Sequence, residues 1–133
     1  MILSLDQSTG IKGYCIMNLE QELITYGIID LRKCPKKTNI EQTKKRSVLV
    51  NQIKELVNEH NILQTITEGI YMHKNIDTYR KLAQCQSSIQ DYCLRENIVC
   101  FSFANAGEWR KFIGVETHKK MKTAKWFKRN QKN

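Results

Sequence analysis

Apolar positions in the first thirty residues fall in three short stretches, at residues 2–6, 13–18 and 23–30. Runs of this length, rich in Ile, Leu and Tyr and bounded by polar clusters, predict β-strands. The breaks between them, Ser8-Thr9-Gly10 and Leu19-Glu20-Gln21-Glu22, are too short for a crossover, so the three strands must pair antiparallel. The period then changes. From Asn39 to Asn61, Ile40, Val50, Ile53, Val57 and His60 recur at helical spacing, with Leu49 and Leu56 widening the stripe. Thr38 or Asn39 can cap this helix. A fourth strand is expected at residues 64–68, then a loop through Gly69 to Ile76. A second helix runs from Asp77, as its cap, to about Glu96, with Leu82, Gln86, Ile89 and Cys93 on one face. A fifth strand at residues 98–103, a short helix at 108–112 and a basic helix at about 118–129 complete the pattern.

Three antiparallel strands followed by alternating helices and strands predict an α/β fold built on a mixed five-stranded sheet. Crossovers to parallel strands lay their helices on the sheet, and helices are expected on both of its faces. The ends of the central strands are then the functional rim. With 133 residues, one domain spanning 1–133 accounts for the chain. The 41% hydrophobic and 26% charged content excludes a disordered tract, and no apolar run reaches the ~20 residues of a membrane helix. Residues 1–6 lack the basic region and apolar core of a signal peptide, so a cytoplasmic protein without membrane association is expected. Five cysteines without a CxxC pair imply by their spacing neither a disulfide framework nor a zinc site, and are expected to be reduced, mostly buried thiols.

Charge narrows the picture. The net charge is +9, but residues 32–46 carry +6 and residues 109–133 carry +8, leaving the remainder acidic. Two basic blocks on an acidic domain form an electrostatic footprint for a polyanion, nucleic acid above all. A solvated helix face, an acidic protein or a membrane surface would give the same runs.

Two carboxylates stand out. Asp6 follows the apolar strand Ile2-Leu3-Ser4-Leu5, and Glu68 ends Ile66-Thr67-Glu68. In this topology the first and fourth strands are parallel neighbours, so both acids emerge at one rim. Such a pair repels, and a divalent cation between the two relieves the repulsion; oxygen ligands suit Mg²⁺ or Mn²⁺. Taken singly, Asp6 reads equally well as a turn cap for the Ser8 and Thr9 amides, and Glu68 as a surface carboxylate.

The segments Leu5-Asp6-Gln7-Ser8-Thr9 with Gly13-Tyr14, Glu68-Gly69-Ile70-Tyr71 with Asn75, Thr78 and Leu82, and Glu108-Trp109-Arg110-Lys111-Phe112-Ile113-Gly114 occur in this order. Together they resemble the phage branch of RuvC-type Holliday-junction resolvases, over residues 2 to about 126. The resemblance implies an RNase H-like fold, a homodimer, and Mg²⁺-dependent hydrolysis of phosphodiesters at a four-way DNA junction, with Mn²⁺ as substitute. It also implies a phage or prophage gene expressed in a bacterial cell.

By position, the resemblance makes Asp6 and Glu68 the metal ligands and catalytic residues. Tyr71 would stack on an unpaired base near the junction centre. Lys74, Asn75, Lys44, Lys45, Arg46, Arg110, Lys111, Lys119, Lys120 and Lys122 would meet DNA. The helix carrying Leu82 to Cys93 resembles the dimer-forming helix of the family, though its stripe could also pack on the sheet.

Departures accompany the match. Lys12 stands where a small hydroxyl residue is expected, and Ala106-Gly107 replaces a Pro-Ser-like pair. Family members also continue beyond the basic helix into an Asp-containing motif, whereas the only acids here after residue 96 are Glu108 and Glu116. The sequence is therefore expected to be C-terminally truncated relative to the family, with two carboxylates where a two-ion site would use more. Three functions follow: a metal-dependent, structure-selective endonuclease; a junction-binding protein with reduced or no cleavage; and a basic RNA-binding protein in which neither acid matters.

Overall fold

The computed structural model describes residues 1–70 and 75–103. Within them the order is β1 (Ile2–Leu5), β2 (Ile11–Met17), β3 (Leu23–Asp30), α1 (Asn39–His60), β4 (Gln64–Glu68), α2 (Ile76–Arg95) and β5 (Val99–Phe103). The strands form one sheet in the order β3-β2-β1-β4-β5. β1 to β3 are mutually antiparallel, while β4 runs parallel to both β1 and β5. This is the expected mixed sheet, and each strand lies within two residues of its expected bounds. The short helix at 108–112 and the basic helix at 118–129 lie outside the described residues.

Capping explains where the helices begin. Thr38 Oγ1 accepts the Glu41 amide at 3.1 Å and Glu41 Oε1 accepts the Thr38 amide at 3.0 Å, a reciprocal box that satisfies two otherwise orphaned donors. α1 stops at Asn61, whose left-handed φ of 53° ends the repeat. α2 begins earlier than expected. Asn75, not Asp77, is its cap, with Oδ1 accepting the Asp77 and Thr78 amides at 3.0 and 3.3 Å. Asp77 lies inside the first turn and pairs instead with Arg80 at 2.7 Å and Lys81 at 2.9 Å. Those cations hold its carboxyl below the usual range.

An apolar cluster holds the described layers together. Leu3 and Leu5 of β1, Ile16 of β2 and Ile29 of β3 pack against Leu49 and Ile53 of α1 and Ile89 and Cys93 of α2. Both described helices therefore cover the same sheet face. The α1 stripe differs from the expected one. Lys45, Leu49 and Ile53, each four residues apart, form the buried line, while Ile40 sits one position off it and is 70% exposed. Of the five thiols, all free, only Cys85 and Cys93 are buried and the other three are half-buried. The α2 stripe of Leu82, Cys85, Ile89 and Cys93 is turned into the protein, so packing on the sheet accounts for it.

Candidate active site

Backbone pairing builds the rim. The β1–β4 register runs from Ile2 opposite Gln64 to Leu5 opposite Thr67, so the next step places Asp6 beside Glu68. The junction is stitched across the two strands. The Gln7 amide donates to Glu68 Oε2 at 3.1 Å, and Gln7 Nε2 donates to the Gly69 carbonyl at 3.1 Å. On the other side the Asp6 amide donates to the Gly13 carbonyl at 3.0 Å, continuing the β1–β2 ladder by one residue. Asp6 and Glu68, predicted from strand order, are thus brought together.

Gly13 makes room for this placement of Asp6. A Cβ at that position would lie 2.8 Å from Asp6 Oδ2, closer than carbon and oxygen tolerate, so the missing side chain is the space the carboxylate uses. The contact also assigns faces. Opposed residues of antiparallel strands point the same way, so Asp6 and Gly13 share one sheet face. Lys12, Tyr14 and Ile16 share the other, which carries the helices.

The turn after Asp6 is closed without its carboxylate. Ser8 Oγ accepts the Gly10 amide at 3.3 Å, and the Leu31 amide reaches the Gly10 carbonyl at 2.8 Å. Among the described residues, the only hydrogen bond to either carboxylate is the Gln7 amide on Glu68. Two oxygen-donor side chains at one rim, in a cradle that a Cβ would fill, fit a hard divalent cation. Among the described residues no third His, Cys, Asp or Glu joins them in a cluster.

Lys12 entered the sequence reading as a departure from a pattern. It is 4% exposed, lines the same crevice as Asp6 and Glu68, and donates from Nζ to the Asp6 carbonyl at 3.0 Å. Burial pushes its amine down from the ordinary lysine range, while Cys85, Asp6 and Glu68 act in the opposite direction. One signal in the sequence could have found it: Lys12 has the inward parity of Tyr14 and Ile16 on an alternating strand. From α2, Leu82 and Gln86 close the crevice, and Gln86 Nε2 donates to Ser102 Oγ on β5.

The expected DNA contacts divide. Lys44 is exposed on α1, and Arg46 is partly exposed, donating to Gln84 Oε1 at 3.3 Å and Thr43 Oγ1 at 3.1 Å. Lys45 is a correction. It is 7% exposed because it occupies the inward line of α1 above Leu49, and burial pushes its amine down, so it does not present a charge to DNA. Asn75 is exposed, but its side-chain oxygen is taken by the α2 amides. Tyr71, Lys74, Arg110, Lys111, Lys119, Lys120 and Lys122 lie outside the described residues.

A family model described as crossover junction endodeoxyribonuclease RuvC matches residues 2–129. Among solved structures, the chain is similar to RuvC of Thermus thermophilus, with a TM-score of 0.70 at 7% identity, covering 93% of this chain and 74% of that one. The T. thermophilus RuvC complex with a Holliday-junction substrate gives 0.68 at 5% identity, covering 84% and 69%. The yeast mitochondrial Holliday-junction resolvase Ydc2 gives 0.58 at 12% identity, covering 86% and 56%. At these identities the structural likeness shows the fold, which is the RNase H-like one. No curated protein matches the sequence.

Proposed function

The chain belongs to the RuvC family of crossover junction endodeoxyribonucleases, and from that premise we propose that it binds four-way DNA junctions and hydrolyses their phosphodiester backbone with Mg²⁺, or Mn²⁺ in its place. One observation carries the chemistry: parallel pairing delivers Asp6 and Glu68 to the same rim, with Gly13 clearing the space for the Asp6 carboxylate. Asp6 and Glu68 would hold the ion. A divalent ion supplies Lewis-acid polarisation of a phosphoryl oxygen, which two carboxylates alone, both negative, cannot. The chain's own residues orient the pair. Gln7 bonds to Glu68 and Gly69, Lys12 bonds to the Asp6 carbonyl, and the sheet beneath holds both backbones.

DNA binding in this reading is electrostatic. Lys44 and Arg46 lie on the exposed part of α1, and Tyr71, Lys74, Arg110, Lys111, Lys119, Lys120 and Lys122 are the further proposed contacts. Phosphate contacts give affinity that falls steeply with salt and carries little sequence information. By the family premise the working unit is a homodimer, one subunit per cleaved strand. Light scattering at micromolar concentration should give twice the 15.6 kDa chain mass. A monomer at that concentration would remove the dimer from the proposal.

The deciding experiment is nicking of a labelled four-way junction in Mg²⁺ or Mn²⁺, beside linear duplex. Asp6→Asn should lower the nicking rate by at least ~10²-fold while leaving junction affinity within a few-fold, because the ion supplies several kcal/mol of charge stabilisation to the reaction. Equal nicking by the variant would sink the assignment. The second reading, a junction-binding protein that cleaves little or not at all, is supported by the absence of a third ligand in the cluster among the described residues. It predicts tight junction binding without nicking by the unaltered chain.

A further inference from the structure

The acidic rim contains a cation of its own. Lys12 is 4% exposed, and its Nζ donates to the backbone carbonyl of Asp6 at 3.0 Å. Burying an ammonium costs several kcal/mol unless opposite charge and hydrogen bonding offset it, so a lysine inside a strand calls for a compensating partner nearby. Its neighbours supply part of that compensation: Cys85, Asp6 and Glu68 all act to favour the charged amine against its burial, and Asp6 and Glu68 line the same crevice.

Strand parity decides how Lys12 can act. It lies on the helix-covered face of β2, whereas Gly13 and the Asp6 carboxylate lie on the opposite face. Almost wholly buried there, it cannot touch a phosphate. It acts through Asp6, and is therefore a positioning residue. We propose that Lys12 is a built-in cation of the site, holding the Asp6 backbone from beneath and carrying part of the charge compensation that Asp6 and Glu68 otherwise draw from a divalent ion. The inference rests on the metal-site reading above. It adds that this chain trades affinity for the ion against a positive charge of its own, held at the Asp6 carbonyl.

A positive charge close to a divalent ion repels it, with a strength that solvent at the exposed rim moderates. The measurement is Mn²⁺ binding to the full 133-residue protein, followed by the electron paramagnetic resonance of the free ion, with circular dichroism to verify folding. Lys12→Met removes charge and hydrogen bond, Lys12→Gln keeps a donor without the charge, and Lys12→Arg keeps the charge. The Met and Gln variants should bind Mn²⁺ about five- to tenfold more tightly than the unaltered protein, with the Arg variant close to it. In EDTA, the Met and Gln variants should bind the junction more weakly, since their uncompensated carboxylates repel phosphate.

Unchanged or weaker Mn²⁺ binding by folded Met and Gln variants overturns the inference. So does a Gln variant that behaves like the unaltered protein, which would assign the effect to the hydrogen bond, and so does an Arg variant that tightens as much as Met. Asp6→Asn separates this failure from that of the metal site. If Mn²⁺ binding survives Asp6→Asn, the metal-site reading falls and Lys12 falls with it. If binding depends on Asp6 but not on the charge at Lys12, only the inference about Lys12 falls.

Discussion

The two ends of the β1–β4 pair share the same hydrogen-bonded ladder and differ in everything the side chains do. At the body of the pair, Leu3 and Leu5 are almost fully buried under α1 and α2, in one apolar cluster with Ile53, Ile89 and Cys93, and Thr65 of β4 is fully buried beside them. One residue beyond, Asp6 and Glu68 bring two negative charges together, and a lysine is buried to meet them. Close packing stabilises the first region by removing apolar surface from water, at ~25 cal/mol per Å². Juxtaposing like charges destabilises the second. The difference shows a division of labour: the apolar end makes the backbone rigid enough to keep the acidic end in a geometry it would not hold alone.

Changes at the two ends should therefore have separable effects. The largest should come from Leu3→Ala, which leaves a cavity under β1 and should lower unfolding stability by about 2–5 kcal/mol in chemical denaturation. Loss of nicking should then follow loss of folding. Gly13→Ala should do the opposite. Its Cβ would fall 2.8 Å from Asp6 Oδ2, so the carboxylate must move, and nicking should fall roughly 10- to 100-fold, as it does when a reacting group is displaced by about an ångström. Its denaturation midpoint should shift little by comparison. If Gly13→Ala nicks normally, the rim tolerates a displaced Asp6 and the contrast between the two ends weakens. The smallest effect is expected at Thr38→Ala, remote from both ends, where loss of the capping box should cost about 1 kcal/mol of stability and leave the nicking rate of the folded protein unchanged.

Much of this molecule was legible in the order of its residues. The change from strand runs to helical spacing near residue 39 marked the first helix, and short turns forced β1 to β3 into antiparallel pairing. From that topology alone Asp6 and Glu68 could be placed side by side. Helix starts were less legible. Asp77 and Asn75 are both good caps by residue type, and only the amides that Asn75 accepts decide between them. The basic run at 44–46 misled in one position, because lysine in a charged stretch reads as solvated, and Lys45 is the member of the run that falls on the inward line of α1.

What the sequence by itself determined is the set of elements over the described residues, their pairing sense and the meeting of two acids at one rim. These follow from local period and connection length, which are properties of neighbouring residues. The tertiary structure decided which lysines became interior, that Gly13 holds the space beside Asp6, and that Lys12 lies beneath the acidic pair. Those features depend on what packs across the sheet from residues distant in the chain: the charge of a lysine is written in the sequence, but the dielectric around it and the partners that offset its burial exist only once the helices pack on the sheet.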